Sequence, residues 1–376
     1  MYTGRSGHLK LFRVGYAGFN DPVAADDQLA VIPYQTGVET YRTAVGVCAD
    51  SINVQADSLT LSTNLQDALR QASMSANDIT LSGTNITLQG AKLDATHNLS
   101  LSASNNLDIG AAKSSHLADL QVISGAMGNR TSSGMETAGE RMAQVGGEWQ
   151  QALGSTLNAG NNLTLKAGQD ISLKGSQASA GGQLGVQAGR DLTIQTESTT
   201  NRTHLEANSR TSSVSNSREE DRLVLSTLSG EQSVTLIAGN NLLAEGAQVD
   251  STSGSIGLSG ENVAINAARQ QTHDRDSEHT RVGKTKSQRE QETTRDTVVG
   301  STLSGQQGVT VIAREGDVTV TGSTLHSEQG ALALQAKNDV TLNSASETEL
   351  GSQKSSSESH PGEQRDSPKP DVAEEE

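Results

Sequence analysis

The sequence predicts an all-β fold: a right-handed parallel β-helix, built as a three-sided solenoid of about 21 residues per coil, with projecting polar loops or hairpins. Three observations lead to this fold. Apolar residues recur at regular short intervals, proline is missing from the repetitive part of the chain, and aromatic residues make up only 2% of the total. They indicate a narrow core filled by one layer of aliphatic side chains. The handedness follows from the general rule for parallel crossover connections.

The apolar positions recur every six to nine residues. One copy of the pattern comprises Leu157, Leu163, Ile171, Ala178, Leu184 and Leu192. Copies starting at Leu228 and Leu303 keep the same phase, and a looser one starts at Asn77. Three steps sum to about 21 residues, which predicts coils of three short strands. Equivalent strands begin at Leu163, Val234 and Val309, 71 and then 75 residues apart, so each unit holds two coils and an interruption.

The order of residues within the predicted strands supports this interpretation. Triplets such as Leu-Thr-Leu and Val-Thr-Val alternate apolar and polar residues, as expected when one side of a strand faces the core. Gly and Asn occur between strands because they tolerate sharp corners. No proline lies between Tyr34 and His360, which suits a ladder whose strands must all donate N–H groups.

Composition excludes several classes of protein. The formal net charge of −16 disfavours binding to nucleic acid or to anionic membranes. Cys48 is the single cysteine, so no internal disulfide can form. No apolar run is long enough to span a membrane. The first twenty residues lack the apolar region of a signal peptide, so no export signal is expected in this chain.

The repeat divides the chain into nine segments. They are a non-repetitive segment 1–50, β-helix repeats 51–113, an insertion 114–153, repeats 154–196, a polar projection 197–221, repeats 222–269, a charged projection 270–296, repeats 297–348 and a disordered tail 349–376. In the insertion, Met135, Met142, Val145 and Trp149 recur at nearly helical spacing, which predicts a short amphipathic helix lying on the rod. The two projections are nearly free of aliphatic residues and cannot enter the core.

Several residue sets could form sites. Threonine or serine recurs between the apolar strand residues, at Thr60, Thr80, Thr87, Ser100, Thr164, Ser172, Thr193, Thr235, Thr310, Thr319 and Thr341. On stacked coils these side chains would form rows on the outer surface. Such rows could be a flat binding face for ice or glycan, or simply a solvated strand surface. We favour the solvated surface, because threonine is a common strand residue on a solvent-facing side. His273, Asp274, Asp276 and His279 could suggest a metal site, but their mixed-charge surroundings indicate a solvated projection.

An enzymatic site would need acidic residues that depart from the repeat. Asp170, Asp191, Asp317 and Asp339 share one corner position, which indicates turn residues. Asp26 and Asp27 are adjacent but lie outside the repeat. The sequence therefore predicts no enzyme, with no catalytic residues, no metal-binding residues, no cofactor-binding residues and no cofactor. The alternatives left open are a carbohydrate-active β-helix enzyme and a non-functional remnant of a larger gene.

Together, these motifs resemble a known family. The run x-Ala-Gly-x-x-Leu-Thr-Leu, Ala-Gly-x-Asp-Ile-x-Leu-x-Gly-Ser, then Ala-Gly-x-Asp-Leu-Thr-Ile is similar to the haemagglutinin repeats of filamentous haemagglutinin and of contact-dependent growth inhibition exoproteins. The resemblance covers Ser51 to Ser359, including the polar stretches Thr196–Ser217 and Ser346–Ser359. It implies a structural rod segment of a secreted bacterial adhesin or toxin exoprotein, exported by two-partner secretion. No secretion domain, pre-toxin motif or toxin domain is recognised in the chain.

The resemblance also implies a location and partners. The location would be the cell surface of a Gram-negative bacterium. The partners would be a receptor on a host or neighbouring cell and, for the full-length protein, an outer-membrane two-partner transporter.

Overall fold

The computed structural model describes residues 46–62, 71–124, 130–131, 134–135, 141–209, 211–282 and 285–358. In these ranges the regular structure consists entirely of β-strands, and the predicted parallel β-helix is confirmed. The described residues include no helix with the length and apolarity needed to cross a membrane.

The described residues form nine stacked coils, each contributing up to three strands. In chain order the coils are β1 (Gly46–Cys48) with β2 (Ser51–Ser62); β3 (Ser73–Ala76) with β4 (Asp78–Gln89); β5 (Lys92–Ala95), β6 (Leu99–Ala103) and β7 (Leu107–Gly110); β12 (Thr156–Ala159), β13 (Leu163–Ala167) and β14 (Ile171–Lys174); β15 (Gln177–Ala180), β16 (Gln183–Ala188) and β17 (Leu192–Gln195); β20 (Ser226–Gly230), β21 (Ser233–Ala238) and β22 (Asn241–Glu245); β23 (Ala247–Ser251), β24 (Ser255–Gly260) and β25 (Asn262–Asn266); β28 (Thr302–Gly305), β29 (Gly308–Ala313) and β30 (Val318–Thr321); β31 (Thr324–Ser327), β32 (Ala331–Ala336) and β33 (Val340–Asn343).

Strands of successive coils pair in parallel and form three faces. The first face is a nine-stranded sheet, and the second and third faces belong to a sixteen-stranded sheet joined through the long strand β4. Leu163 pairs with Leu184 and Ile171 pairs with Leu192, a step of 21 residues in each case. Each residue therefore stacks on the equivalent residue of the next coil, as the repeat predicted.

The core is a column of aliphatic side chains inside the coils. The inward residues of β13, Leu163 and Leu165, are fully buried, and Leu184 and Val186 of the next coil are 1% exposed. In the last described coil the inward Leu332 and Leu342 are 48% and 66% exposed, since no described coil stacks on them. Burial of these side chains therefore comes from the neighbouring coils above and below.

Long strands leave the rod at one of its three corners, between a strand of the third face and the next strand of the first face. They are β8 (Ala112–Ser124), β11 (Arg141–Leu153), β18 (Glu197–Asn208), β19 (Ser212–Val224), β26 (Ala268–Val282), β27 (Thr285–Val299) and β34 (Thr348–Glu358). They pair β8 with β11, β18 with β19 and β26 with β27, giving three antiparallel hairpins. The short strands β9 (Arg130–Thr131) and β10 (Gly134–Met135) pair only with each other.

The hairpins do not project separately. They pair side by side into one antiparallel sheet, ordered β34-β27-β26-β19-β18-β11-β8, which we call the side sheet. Two coils separate each hairpin from the next, and each coil raises the rod by about 4.8 Å. Neighbouring strands of a sheet are also about 4.8 Å apart, so a two-stranded hairpin fills the height of two coils. This match of spacings allows the hairpins to form a continuous sheet.

Three expectations about individual segments need correction or qualification. The helix expected in the insertion is wrong: Val145 and Trp149 lie in strand β11, which pairs with β8 along its full length. The tail was expected to be disordered from residue 349, but Thr348–Glu358 forms β34; residues 359–376 lie outside the described residues. Strand β1 belongs to the first coil, so the rod includes residues assigned to segment 1–50, whose residues 1–45 are not described.

Candidate functional surface

The corner from which the hairpins leave is built from glycines and buried serines. In coils without a hairpin the chain turns through Gly90, Gly175, Gly246 or Gly322, each with φ between +57° and +60°. Gly90, Gly175 and Gly246 pack directly against the base of the next hairpin, and Gly322 packs against Ala345, which precedes β34. A β-carbon at Gly246 would lie 2.8 Å from the Cβ of Ala268, for example. Glycine is needed here both for the left-handed backbone and for the close approach.

Buried serines connect the coils at the same corner. Ser155, Ser176, Ser226 and Ser301 are fully buried. The hydroxyl of Ser155 donates to the carbonyl of Gly110 at 2.7 Å and accepts from the N–H of Ala91 at 3.1 Å. The second bond gives the N–H of Ala91 a side-chain acceptor, and the first adds a donor to the Gly110 carbonyl, which also accepts the N–H of Gly90. The serines thus keep the rod continuous past each hairpin.

One carboxylate anchors two hairpins near the rod. Glu197, the first residue of β18, is only 7% exposed. Its Oε1 lies 2.5 Å from Nζ of Lys113 in β8 and 3.9 Å from Nζ of Lys174 in β14. Lys113 also donates to the carbonyl oxygen of Ser198 at 2.7 Å. A partly buried charge needs such partners, and here they join the first hairpin, the second hairpin and the rod.

Ion pairs also connect neighbouring hairpins across the side sheet. Arg202 in β18 lies 3.5 Å from Glu148 in β11 and 2.9 Å from Glu219 in β19. The hydrogen bond from Arg202 to Glu219 raises the pKa of the guanidinium. Equivalent links join Arg218 to Asp274 at 3.6 Å and Arg295 to Glu349 at 3.1 Å, the latter between β27 and β34. Each exposed pair contributes little alone, but together they specify which strands become neighbours.

Apolar residues gather on one side of the side sheet, which we call the Trp149 face. Leu120 pairs with Val145, and Val145 pairs with Leu205, so the three side chains project from the same face. Trp149 lies on this face four residues after Val145, and its indole covers Gly147. These side chains are 38–56% exposed. A patch of this kind on a solvated sheet is typical of a contact surface.

A shallow depression of about 550 Å³ adjoins this patch. Its lining includes Leu205 and Val214 together with Asn216, Asp276 and Arg289. Apolar and charged groups therefore stand side by side, which is the mixture found in protein–protein interfaces.

Comparison with known proteins places the chain in a family. The family model described as Hemagglutinin repeat matches residues 50–209 and 282–363. The chain belongs to the hemagglutinin-repeat family. No curated protein and no solved structure matches it. Between the two matched stretches, β20–β25 build two further coils of the same kind, so the hemagglutinin-repeat architecture is continuous in the structure.

The aspartates singled out from the sequence lie at one corner of the hemagglutinin-repeat rod. The side chain of Asp170 accepts the N–H of Asp191, and that of Asp191 accepts the N–H of Asn241. Asp317 accepts the N–H of Asp339 in the same way. This column of hydrogen bonds explains why the position carries Asp or Asn in every unit. Asp26 and Asp27 lie outside the described residues.

Two carboxyl groups of the rod, those of Asp170 and Asp108, have shifted pKa values. The hydrogen bond from Arg190 holds the pKa of Asp170 below the ordinary value of 3.8. Asp108, on the outer side of β7, has a raised pKa, first because of desolvation and second because of the nearby charge of Asp170. The two shifts have opposite signs because Asp170 accepts a hydrogen bond from Arg190, whereas Asp108 is partly desolvated and lies near the negative charge of Asp170.

The recurring threonines and serines divide between two faces. One row lies on the second face and consists of Thr80, Ser100, Thr164, Thr235 and Thr310. Gly185 and Gly257 occupy the equivalent positions in two coils and interrupt this row. The row on the third face consists of Thr60, Thr87, Ser172, Thr193, Thr319 and Thr341. Asp108, Leu243 and Ala264 occupy the equivalent positions in the other coils and interrupt this row. The structure therefore does not bring them together into one flat face.

The four residues considered for a metal site all lie in β26 but are spread over both faces of the side sheet. His273 contacts the hydroxyl of Thr294 at 2.9 Å, Asp274 pairs with Arg218, and Asp276 accepts from Asn216. Across the described ranges, no three His, Cys, Asp or Glu side chains converge as a metal-binding group.

Sequence reasoning missed the side sheet as a surface. One available signal was the return of a polar stretch between successive repeat units, whose equivalent strands begin 71 and 75 residues apart. The buried serines offered a second signal, since Ser155, Ser176 and Ser301 directly precede a strand of the first face and Ser226 is the first residue of such a strand.

Proposed function

We propose that the chain is a structural rod segment of a secreted bacterial adhesin and that the Trp149 face is its contact surface. The observation that carries this proposal is the continuous side sheet with its exposed apolar row Leu120, Val145 and Leu205. An exposed cluster of this composition is costly in water unless a partner covers it during function. The partner would be a receptor on a host or neighbouring cell.

The rod supplies the mechanical part of this function. Parallel ladders run along all three faces, and each coil buries its aliphatic residues against its neighbours. Such a solenoid gains stability coil by coil, so it can fold progressively from an unfolded chain. This property suits export through an outer-membrane transporter of the two-partner type and display at the surface of a Gram-negative cell, the context that the hemagglutinin-repeat family favours.

Binding of the purified, fluorescently labelled chain to cells tests the proposal. Epithelial cells and Gram-negative bacterial cells provide the two arms, and flow cytometry gives the bound fraction. We expect saturable binding in one arm, and strong weakening by the double variant Leu205→Glu/Val214→Glu. The two side chains are 38% and 37% exposed, so the rod should still fold.

Leu117→Glu is the matched control, because Leu117 is 75% exposed and lies on the opposite face of the side sheet. The control should bind as the wild type does. Absence of saturable binding in both arms would contradict a role in adhesion and favour the alternative in which the rod only presents a toxin. Equal loss in both variants would show that the Trp149 face has no special role.

A further inference from the structure

Strand β34 occupies a distinct position in the side sheet. Strands β8, β18 and β26 run away from the rod, and each has a returning strand from its own hairpin, namely β11, β19 or β27. Strand β34 also runs away from the rod, but among the described residues it pairs only with β27. Within the described part of the chain, one side of β34 therefore has backbone N–H and C=O groups with no neighbouring strand, and such an edge is a template for another strand.

The other strands of the side sheet determine the direction in which a strand added beside β34 must run. All the pairings in the side sheet are antiparallel, so the strand that completes it must run towards the rod. A second copy stacked head to tail would offer β8, which runs away from the rod and would pair in parallel. A copy related by a twofold axis normal to the sheet would offer its own β34 in the antiparallel direction.

The following residues of the chain are a poorer partner. The returning strands Ser212–Val224 and Thr285–Val299 contain no proline. In contrast, Pro361, Pro368 and Pro370 remove three N–H donors from the segment that follows β34. A second β34 has no proline and offers a full ladder.

The sequence of β34 is self-complementary. In the register that overlaps its eleven residues completely, Gln353 lies opposite Gln353 of the second copy. The same register sets Glu349 opposite Ser357, Lys354 opposite Ser352 and Glu358 opposite Thr348, so no like charges face each other. The two Gln353 amides can each donate and accept across the axis. Lys354 is the only positively charged residue of β34, and such a residue at a strand edge disfavours pairing with another strand.

We infer that two copies of this protein associate through their β34 edges about a twofold axis normal to the side sheet. The product is a continuous antiparallel sheet of fourteen strands with one rod attached on each side. This inference does not depend on receptor binding, because it concerns the edge of the side sheet and not the Trp149 face.

Charge substitution at the axis gives a decisive test. Sedimentation velocity of the full chain should show a concentration-dependent dimer. Gln353→Lys and Gln353→Glu each place two like charges opposite each other, and each should weaken self-association by about fivefold or more. An equimolar mixture of the two variants should restore the dimer, since the charges then attract. Restoration on mixing cannot arise from misfolding of either variant.

Ser277→Lys and Ser277→Glu are the matched controls, because Ser277 lies in β26 inside the side sheet. Neither control should change dimerisation. The inference is overturned if the wild type stays monomeric at all concentrations, or if mixing the Gln353 variants restores nothing. It is also overturned if only a chain lacking residues 359–376 dimerises, because those residues would then cover the edge themselves.

Discussion

Gly175 lies directly beneath Glu197, the first residue of the second hairpin: a β-carbon added to Gly175 would be 2.5 Å from the Cβ of Glu197. Gly175 also has a φ of +57°. The corner of one coil and the base of the hairpin on the next coil are therefore packed so closely that only a hydrogen atom fits between them. This contact couples the stability of the rod to the attachment of the side sheet.

Gly175→Ala should lower the free energy of unfolding by about 2 kcal/mol or more. The left-handed backbone disfavours a β-carbon, and the clash with Glu197 adds to the cost. Urea denaturation followed by circular dichroism measures the change. Gly185→Ala is the matched control, since no atom lies within 4 Å of an added β-carbon there. A similar loss in both variants would show that the packing at the corner is unimportant.

Ser226→Ala should destabilise the rod by about 1–3 kcal/mol, because the N–H of Ser176 loses its side-chain acceptor and the Gln195 carbonyl loses one of its donors. The hydroxyl of Ser226 donates to the carbonyl of Gln195 at 2.5 Å and accepts from the N–H of Ser176 at 3.4 Å. Thermal unfolding reports the effect. Ser229→Ala, three residues later on the outer side of the same strand, should change the midpoint little. If the two variants unfold at the same temperature, the buried serines do not contribute to stability.

Leu184→Asp should prevent formation of a stable rod, because an unpaired carboxylate in the aliphatic core costs several kcal/mol. Leu184 is 1% exposed. Thr193→Asp should be tolerated, since Thr193 projects from the outer side of β17. Circular dichroism and limited proteolysis compare the two variants. Equal behaviour would mean that the inward and outward positions have been assigned incorrectly.

The Asp170–Arg190 pair should stabilise the rod in a pH-dependent way. The folded pKa of Asp170 is lowered, so its contribution is fully present above the ordinary value of 3.8 and is lost as the pH falls through the folded pKa. Arg190→Gln should be less stable than the wild type at neutral pH, and the difference should shrink in acid. Lys166→Gln, on the outer side of β13, serves as the control. Urea midpoints across the pH range measure both, and a constant difference would contradict the assignment.

The contribution of Asp108 to the stability of the rod should depend on pH in the opposite way. Its folded pKa is raised, so its effect on stability is most favourable below 3.8 and becomes unfavourable as the pH rises through the folded pKa. Asp108→Asn should therefore be more stable than the wild type at neutral pH, with the advantage disappearing in acid. Asp250→Asn, on the outer side of β23, is the comparison. A variant that loses stability at neutral pH would show that the charged form of Asp108 is favourable.

The rod could be predicted from the sequence because its core repeats. Leu163, Leu184 and Val234 occupy equivalent inward positions in successive coils. A strand that is ambiguous in one copy of the repeat can therefore be assigned from the other copies. The parallel pairing then follows, because residues at equal positions of a repeat stack on one another. The corner aspartates were predicted for the same reason, since Asp170 and Asp191 occupy equivalent positions.

The side sheet could not be predicted in this way. Its strands carry only a few apolar residues, such as Leu120, Val145 and Leu205, and these do not recur at a regular interval along the chain. Val145 and Trp149 also show why a helix was expected. A spacing of four residues places two side chains on one side of a helix, but it also places them on one side of a strand. Pairing with β8 decides between the two, and that pairing is a tertiary contact.

The match between one hairpin and two coils has a consequence for how such proteins change length during evolution. Deleting a single coil of about 21 residues would leave the rod intact but would shift the next hairpin by one strand spacing and break the side sheet. Duplication or loss of a whole unit of 71–75 residues preserves both. Recombination between neighbouring repeats should therefore be tolerated in whole units, and the length of the rod should vary in steps of about 10 Å.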